Sequence, residues 1–284
     1  MVLLLLAAPM LAGCHLMSLF TGSQPERVDK DAVAAGMPGK HHFRVSQFQF
    51  LSDFEIRKDL PIFNDLGVLR EHVYRELRLP PTNTEIFVYL FETKERYEEF
   101  LHKKYPQLPD RRAYFIAQAR RLGGAEDLNV YTYWNNNIQQ DLRHELTHAL
   151  LHSTLKDVPI WLDEGLAEYF EVPAAWNGVN PDHVEKLRKA GVRFDLARLE
   201  QLKDVSQMKP PEYRESWAWV HLMLRSSPKA KQTLVGYLHE LRTNPNPGPL
   251  RPRLAPAFLA LENDLHTHLV DVERKLTRPT TALR

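Results

Sequence analysis

The stretch Asp141-Leu142-Arg143-His144-Glu145-Leu146-Thr147-His148 constrains this chain more than any other. No helix breaker falls between Ile138 and His152, so the segment reads as one uninterrupted helix. Side chains four positions apart on a helix lie one above the other, about 6 Å apart at a rise of roughly 1.5 Å per residue. His144 and His148 can therefore offer two neutral imidazole nitrogens to a single metal ion from one face. Glu145 follows the first of them and projects beside such an ion, where its carboxylate can take a proton from a metal-bound water. The bland alternative is two surface histidines that happen to fall four apart.

A catalytic zinc site ordinarily has three protein ligands and an open position, so the pair needs one more. The segment Val158-Pro159-Ile160-Trp161-Leu162-Asp163-Glu164-Gly165-Leu166-Ala167-Glu168-Tyr169-Phe170 can supply it. Ser153 to Pro159 breaks the first helix, and a short reversal into a second helix would return a carboxylate to the first. Glu164 suits the reach of that reversal; Glu168, one turn further on, competes with it. Gly165 is expected to let the two helices approach closely at the metal, and Leu162, Leu166, Tyr169 and Phe170 form the apolar face that holds the second helix down. His152 extends the same face as His144 but lies too far along the axis to share one ion, and reads as a helix-end residue.

H-E-L-T-H followed by W-L-D-E-G-L-A-E-Y-F resembles the gluzincin side of the zincin metallopeptidases, most of all the peptidase-MA-like group that includes the DUF1570 family of bacterial envelope proteins. The resemblance implies a thermolysin-like core in which His144, His148 and Glu164 bind Zn2+ and Glu145 is the general base. Tyr213-Arg214-Glu215-Ser216-Trp217-Ala218 is similar to a Y-x-x-S-W-A segment found downstream in such proteins, and the likeness runs from about Phe43 to about Leu269. The metzincin pattern wants Gly at 151 and His at 154; Leu151 and Thr154 exclude it.

Upstream, Met1 to Phe20 reads as a targeting segment whose apolar run, Val2 to Leu11, is too short to span a bilayer. Leu11-Ala12-Gly13-Cys14 resembles a bacterial lipobox, which makes Cys14 the expected lipidation site and places the protein in the cell envelope on a membrane. Met1-Val2 carries no basic residue, a departure from an ordinary export signal, and a plain cleavable signal peptide is the alternative. Cys14 is the single cysteine of the chain, so no internal disulfide can form. Residues 21–42 are polar, with Gly22, Pro25, Gly36, Pro38 and Gly39, and read as a flexible tether. With 37 basic and 36 acidic residues well mixed there is no basic stripe, which argues against a nucleic-acid partner. The 284 residues provide ample core for one or two domains.

Beyond the tether, alternation predicts strands over Phe43–Leu51, Glu85–Phe91, Ala113–Ala117 and Leu128–Trp134, the last two separated by a Gly123-Gly124 turn. Helical spacing is expected over Ile62–Leu77, Thr93–Leu101, Pro181–Ala190, Tyr213–Leu224, Ala230–Leu241 and Ala257–Leu276. In zincins the strand just before the metal helix is commonly the sheet edge to which an extended peptide pairs. The resemblance thus implies a substrate edge at Asn129 and Tyr131; Tyr133 reads as an ordinary strand aromatic. Asp141 could orient a ligand imidazole, or could be a first-turn acid favoured by the helix dipole, and Asp163 has the same ambiguity. Tyr213 could donate a hydrogen bond to a developing oxyanion, or be structural.

The expected fold is α+β, a zincin core with a small mixed sheet, an H-E-x-x-H helix and a glutamate helix over 43–175, and a helical C-terminal part over 176–284. The expected function is zinc-dependent peptide-bond hydrolysis by a monomer acting on a peptide or protein substrate. The alternative is a non-catalytic zincin-like envelope lipoprotein that binds a peptide or protein partner through the same groove.

Overall fold

The computed structural model describes residues 36–118, 126–191 and 193–277. The targeting segment with Cys14, most of the expected tether and the Gly123-Gly124 turn lie outside them.

Phe43 and Val45 are followed by Phe48 and Phe50, and the alternation changes parity between them because the chain turns there. Instead of one strand, β1 (His41–Val45) and β2 (Phe48–Ser52) form an antiparallel hairpin across Ser46, whose φ is 56°. Phe43 faces Phe50 across the pair with ring centroids 5.0 Å apart, and Phe63 packs edge-on against both. The hairpin corrects the tether boundary: His41 and His42 belong to β1, and Met37 packs on an aromatic cluster of the body. α1 (Pro61–Leu77) buries Phe63, Leu66, Leu69, Val73 and Leu77 on one stripe and stops at Arg78, which adopts the left-handed conformation ahead of Pro80-Pro81. β3 (Ile86–Phe91) leads into α2 (Lys94–Lys104), whose Arg96 amide donates to the Thr93 hydroxyl cap. β4 (Ala113–Gln118) and β5 (Asp127–Tyr133) complete a five-stranded mixed sheet in the order β1-β2-β3-β5-β4. The central pairs β2–β3 and β3–β5 are parallel, and the two outer pairs are antiparallel.

This order overturns the expected substrate edge. β5 is paired on both sides, Asn129 standing opposite Phe87 of β3 and Ile116 of β4. Tyr131 is fully buried among Phe91, Phe100 and Tyr105, with Lys104 donating to its hydroxyl at 2.9 Å. β4 folds back antiparallel over the outer side of β5, so among the described residues the open edge next to the H-E-x-x-H helix is β4.

The remaining elements are helical. α3 (Ile138–His152) and α4 (Ile160–Phe170) carry the two halves of the site. They are followed by α5 (Pro181–Ala190), α6 (Leu196–Leu199), α7 (Pro210–Arg225), α8 (Pro228–Leu241), α9 (Arg251–Leu254) and α10 (Leu261–Thr277). Proline at the first turn of α5, α7 and α8 sets the starting φ without losing a helical hydrogen bond. The last helix starts later than its spacing suggests, at Leu261, where Asp264 accepts the Ala260 amide. No helix among the described residues is long and apolar enough to cross a membrane.

α4 lies in the core between α3 and α7, and Trp217 and Trp219 of α7 are fully buried. Gly165 permits a close approach, but to α7 instead of α3: a Cβ built there would sit 2.6 Å from the Ser216 carbonyl oxygen. The α4–α7 contact carries the glutamate helix, and α3 is brought to it from the other side.

Candidate metal centre

α3 places His144 and His148 one turn apart with ring centroids 5.0 Å apart, and α4 brings Glu164 against both. Glu164 Oε2 lies 3.4 Å from His144 Nε2 and 3.5 Å from His148 Nε2. Tetrahedral zinc, with bonds of about 2.0–2.1 Å, separates its ligand atoms by about 3.3–3.4 Å. Glu164 Oε2 is moreover buried with no hydrogen-bond partner, an arrangement that costs energy unless something positive meets it. Donor types, spacing and the orphaned oxygen all fit a zinc ion held by these three side chains.

The outward nitrogens of both rings face carboxylates. His144 Nδ1 is 3.2 Å from Glu171 Oε2, and His148 Nδ1 is 3.0 Å from Asp163 Oδ2. A carboxylate on Nδ1 holds the proton there and leaves the Nε2 lone pair for the metal. Glu171 is itself fixed through Oε1, which accepts from Gln140 at 2.9 Å and Asn180 at 3.1 Å. Arg143, 1% exposed, donates to the Glu171 and Val172 carbonyls and to Asp65, tying the C-terminal end of α4 to the residue preceding His144.

Four carboxylates, Glu145, Asp163, Glu164 and Glu171, thus surround two imidazoles. Burial alone would depress the His148 pKa, yet Asp163 and Glu164 push it up to about 10. His144 is likewise raised well above its ordinary value against burial, by Glu164 and Glu171. Glu164 falls to about 2 although burial opposes ionisation, because His148 and His144 stabilise its charge. A cluster that draws protons onto its histidines so strongly is one in which a divalent cation replaces them favourably. Glu145, half-buried beside the ligands, has its pKa raised by burial and by Glu164, with both histidines opposing.

Of the two roles open to Asp141, the geometry supports the one away from the ligands. Its carboxylate takes three hydrogen bonds from Arg112, the shortest 2.8 Å, and one from Asn135, tying the first turn of α3 to the start of β4. Side chains on a helix lean towards its N-terminus, which carries Asp141 away from His144. Asp163 does reach a candidate ligand, His148, and its Oδ2 also faces His152 Nε2 at 3.1 Å, so His152 shares the carboxylate of His148 and does more than end a helix. Glu168, the competing ligand, lies 2.6 Å from His183 Nε2. It forms a second potential cluster with His144 and Glu171, but the convergence of both His144 and His148 is on Glu164.

The candidate ligands open into a cavity of about 430 Å³ whose lining includes Glu145, Arg111, Tyr114, Phe115, Ala117 and residues 203–206. Phe115 of the open edge strand stacks with His148 at 6.2 Å between centroids, which sets β4 directly beside α3. Tyr213, at the start of α7, accepts a hydrogen bond from Arg111 Nη2 at 3.3 Å; its phenol is pushed up to about 12 by burial and by the charge of Glu164. A larger cavity of about 960 Å³, lined by Trp176, His221, Phe258 and His268, shares no residue with this one.

Residues 138–246 match the family described as "Protein of unknown function (DUF1570)". This part of the chain is similar to that family. It contains the ligand candidates, Glu145, Glu171 and Tyr213, whereas the sheet and Arg111 precede it. No curated protein matches the chain.

Two partners in the site are not among the residues that the sequence reading singles out. Glu171 lies seven residues, two helical turns, after Glu164, so it shares a face with the third candidate ligand, and that spacing is its available signal. Arg111 sits in a short charged run before a strand, where no periodicity marks it.

Proposed function

We propose that this protein is a zinc-dependent peptidase of the gluzincin type, with a thermolysin-like core and ligands His144, His148 and Glu164. The observation that carries the reading is the convergence of two imidazole Nε2 atoms on a buried carboxylate oxygen that has no other partner. Zinc held there would act as a Lewis acid towards a carbonyl oxygen and lower the pKa of water near it. Glu145 takes a proton from the attacking water and returns it to the departing amide nitrogen, a role helped by the upward shift that burial gives its carboxyl. Glu171, hydrogen-bonded to His144 Nδ1, keeps that imidazole's proton there, and Asp163, 3.0 Å from His148 Nδ1, supplies the second ring with a counter-charge. Arg111 is a donor only, so the Tyr213 oxygen accepts from it and the phenolic proton is left to point elsewhere; turned towards the cavity, it stabilises the developing oxyanion. An extended substrate adds to the open edge of β4, whose Phe115 and Ala117 line the cavity.

Purified full chain should carry one zinc, and Glu145→Gln should keep that zinc while losing turnover on peptide pools. Normal cleavage by Glu145→Gln would refute the mechanism, and a metal-free wild type after reloading with zinc would refute the reading. We further infer export and lipid attachment at Cys14, on the strength of Leu11-Ala12-Gly13-Cys14. Fatty-acid labelling lost in Cys14→Ala tests it, and equal labelling of both chains would refute it.

A further inference from the structure

Arg111 lines the candidate site, where the charge of Glu164 acts on it, but among the described residues it makes no salt bridge or hydrogen bond to a carboxylate, whereas Arg112 beside it gives three hydrogen bonds to Asp141. One Arg111 nitrogen donates to Tyr213 at 3.3 Å, and a guanidinium has five N–H donors, so most of its fork is uncommitted. Its backbone is held from both sides. The Tyr97 hydroxyl donates to the Arg111 carbonyl at 3.0 Å, and the Tyr114 hydroxyl donates to the carbonyl of Pro109. The guanidinium carbon lies 5.8 Å from the centre of the Tyr114 ring, which supports it from one side. A cation fixed in this way, in a cavity it shares with Glu145 and Glu164, is matched to a planar anion that presents two oxygens.

The direction of β4 says where on a substrate that anion sits. β4 runs from Ala113 to Gln118, and Arg111 lies just before its start. A chain added antiparallel to this edge runs the other way, so its C-terminal end arrives at Arg111. We propose that Arg111 is a specificity-determining residue that selects peptides carrying a carboxylate on the C-terminal side of the bound segment, supplied by the chain terminus or by an acidic side chain. The assignment rests on the peptidase reading for its substrate class.

Binding, read apart from turnover, tests it. Zinc-loaded full chain with Glu145→Gln is offered random tetrapeptide pools ending in a free acid or an amide, and amidated pools with Glu or Gln at the last position. Retained peptides are quantified by mass spectrometry. The expected result is a carboxylate preference of roughly ten- to a hundredfold, abolished by adding Arg111→Gln and partly kept by Arg111→Lys. Preference for the free acid over the amide identifies the terminus as the source, and preference for Glu over Gln identifies the side chain. Equal retention of charged and neutral pools, retention of neither, or a preference that survives Arg111→Gln overturns the proposal. If the chain with Glu145 intact retains the carboxylate peptides selectively but leaves them uncut, the peptidase reading falls and the Arg111 assignment stands.

Discussion

Replacing Glu171 by glutamine leaves its shape nearly unchanged but exchanges one of its two acceptor oxygens for a donor. In the native site Oε1 accepts from Gln140 and Asn180 at 2.9 and 3.1 Å, and Oε2 faces His144 Nδ1 at 3.2 Å. Suppose the amide oxygen stays towards Gln140 and Asn180. Its NH2 group then points at His144 Nδ1, which has to become the acceptor, and the imidazole proton moves to Nε2, the atom that the metal requires. With the amide turned the other way, His144 keeps its tautomer, but two donors meet an NH2 group at a residue 6% exposed. Each such mismatch costs about 1–3 kcal/mol. Both arrangements weaken zinc binding, by roughly 10- to 100-fold, which is about 1.4–2.7 kcal/mol. Competition against a chromophoric chelator at neutral pH measures this, with Asp141→Asn as control because Asp141 contacts Arg112 and Asn135 instead of a ligand. Unchanged zinc affinity in Glu171→Gln, or an equal loss in Asp141→Asn, would refute the argument that Glu171 sets the His144 tautomer.

Glu164→Ala should abolish stoichiometric zinc binding, whereas Glu168→Ala, which removes the partner of His183, should leave it largely intact; metal analysis of both variants decides. In chelator-treated protein the fold raises His148 from its ordinary 6.5 to about 10. That group's stabilisation is complete below pH 6.5 and disappears as pH rises through 10, so the melting temperature of the metal-free chain should fall across that window. Zinc affinity measured over the same window should rise with pH, because binding displaces the protons. Gly165→Ala puts a Cβ 2.6 Å from the Ser216 carbonyl oxygen, and thermal unfolding should register a loss of about 1–3 kcal/mol.

What could be read from the sequence tracks how local each feature is. The positions of His144, Glu145 and His148 follow from the pitch of one helix, and their mutual geometry was therefore legible. The approach of Glu164 needed only a short reversal between neighbouring helices. Strand order is a different kind of information. β4 and β5 are both short runs rich in aromatic and aliphatic residues, and nothing within either says which is paired twice. An edge assigned from chain order alone therefore falls one strand too far inside. Gly165 signalled a close approach but could not name the helix approaching it, which proved to be α7. The hairpin at Ser46 was signalled by a change of parity among four apolar residues, a mark that is easy to read through when the run is short.

The open edge has a consequence for how the protein behaves in solution. β4 reads Ala-Tyr-Phe-Ile-Ala-Gln, with no charge, no proline and no glycine, which is the composition of segments that stack into intermolecular sheets. An edge free to receive a peptide is equally free to receive the same strand from another copy of the chain. Arginine pairs flank the segment on both sides in sequence, Arg111-Arg112 before it and Arg120-Arg121 after it, in the position of charged gatekeepers. Their protection is electrostatic and is screened by salt. Concentrated protein should therefore self-associate more readily as ionic strength rises, and a short peptide lying on the edge should act as a solubilising agent.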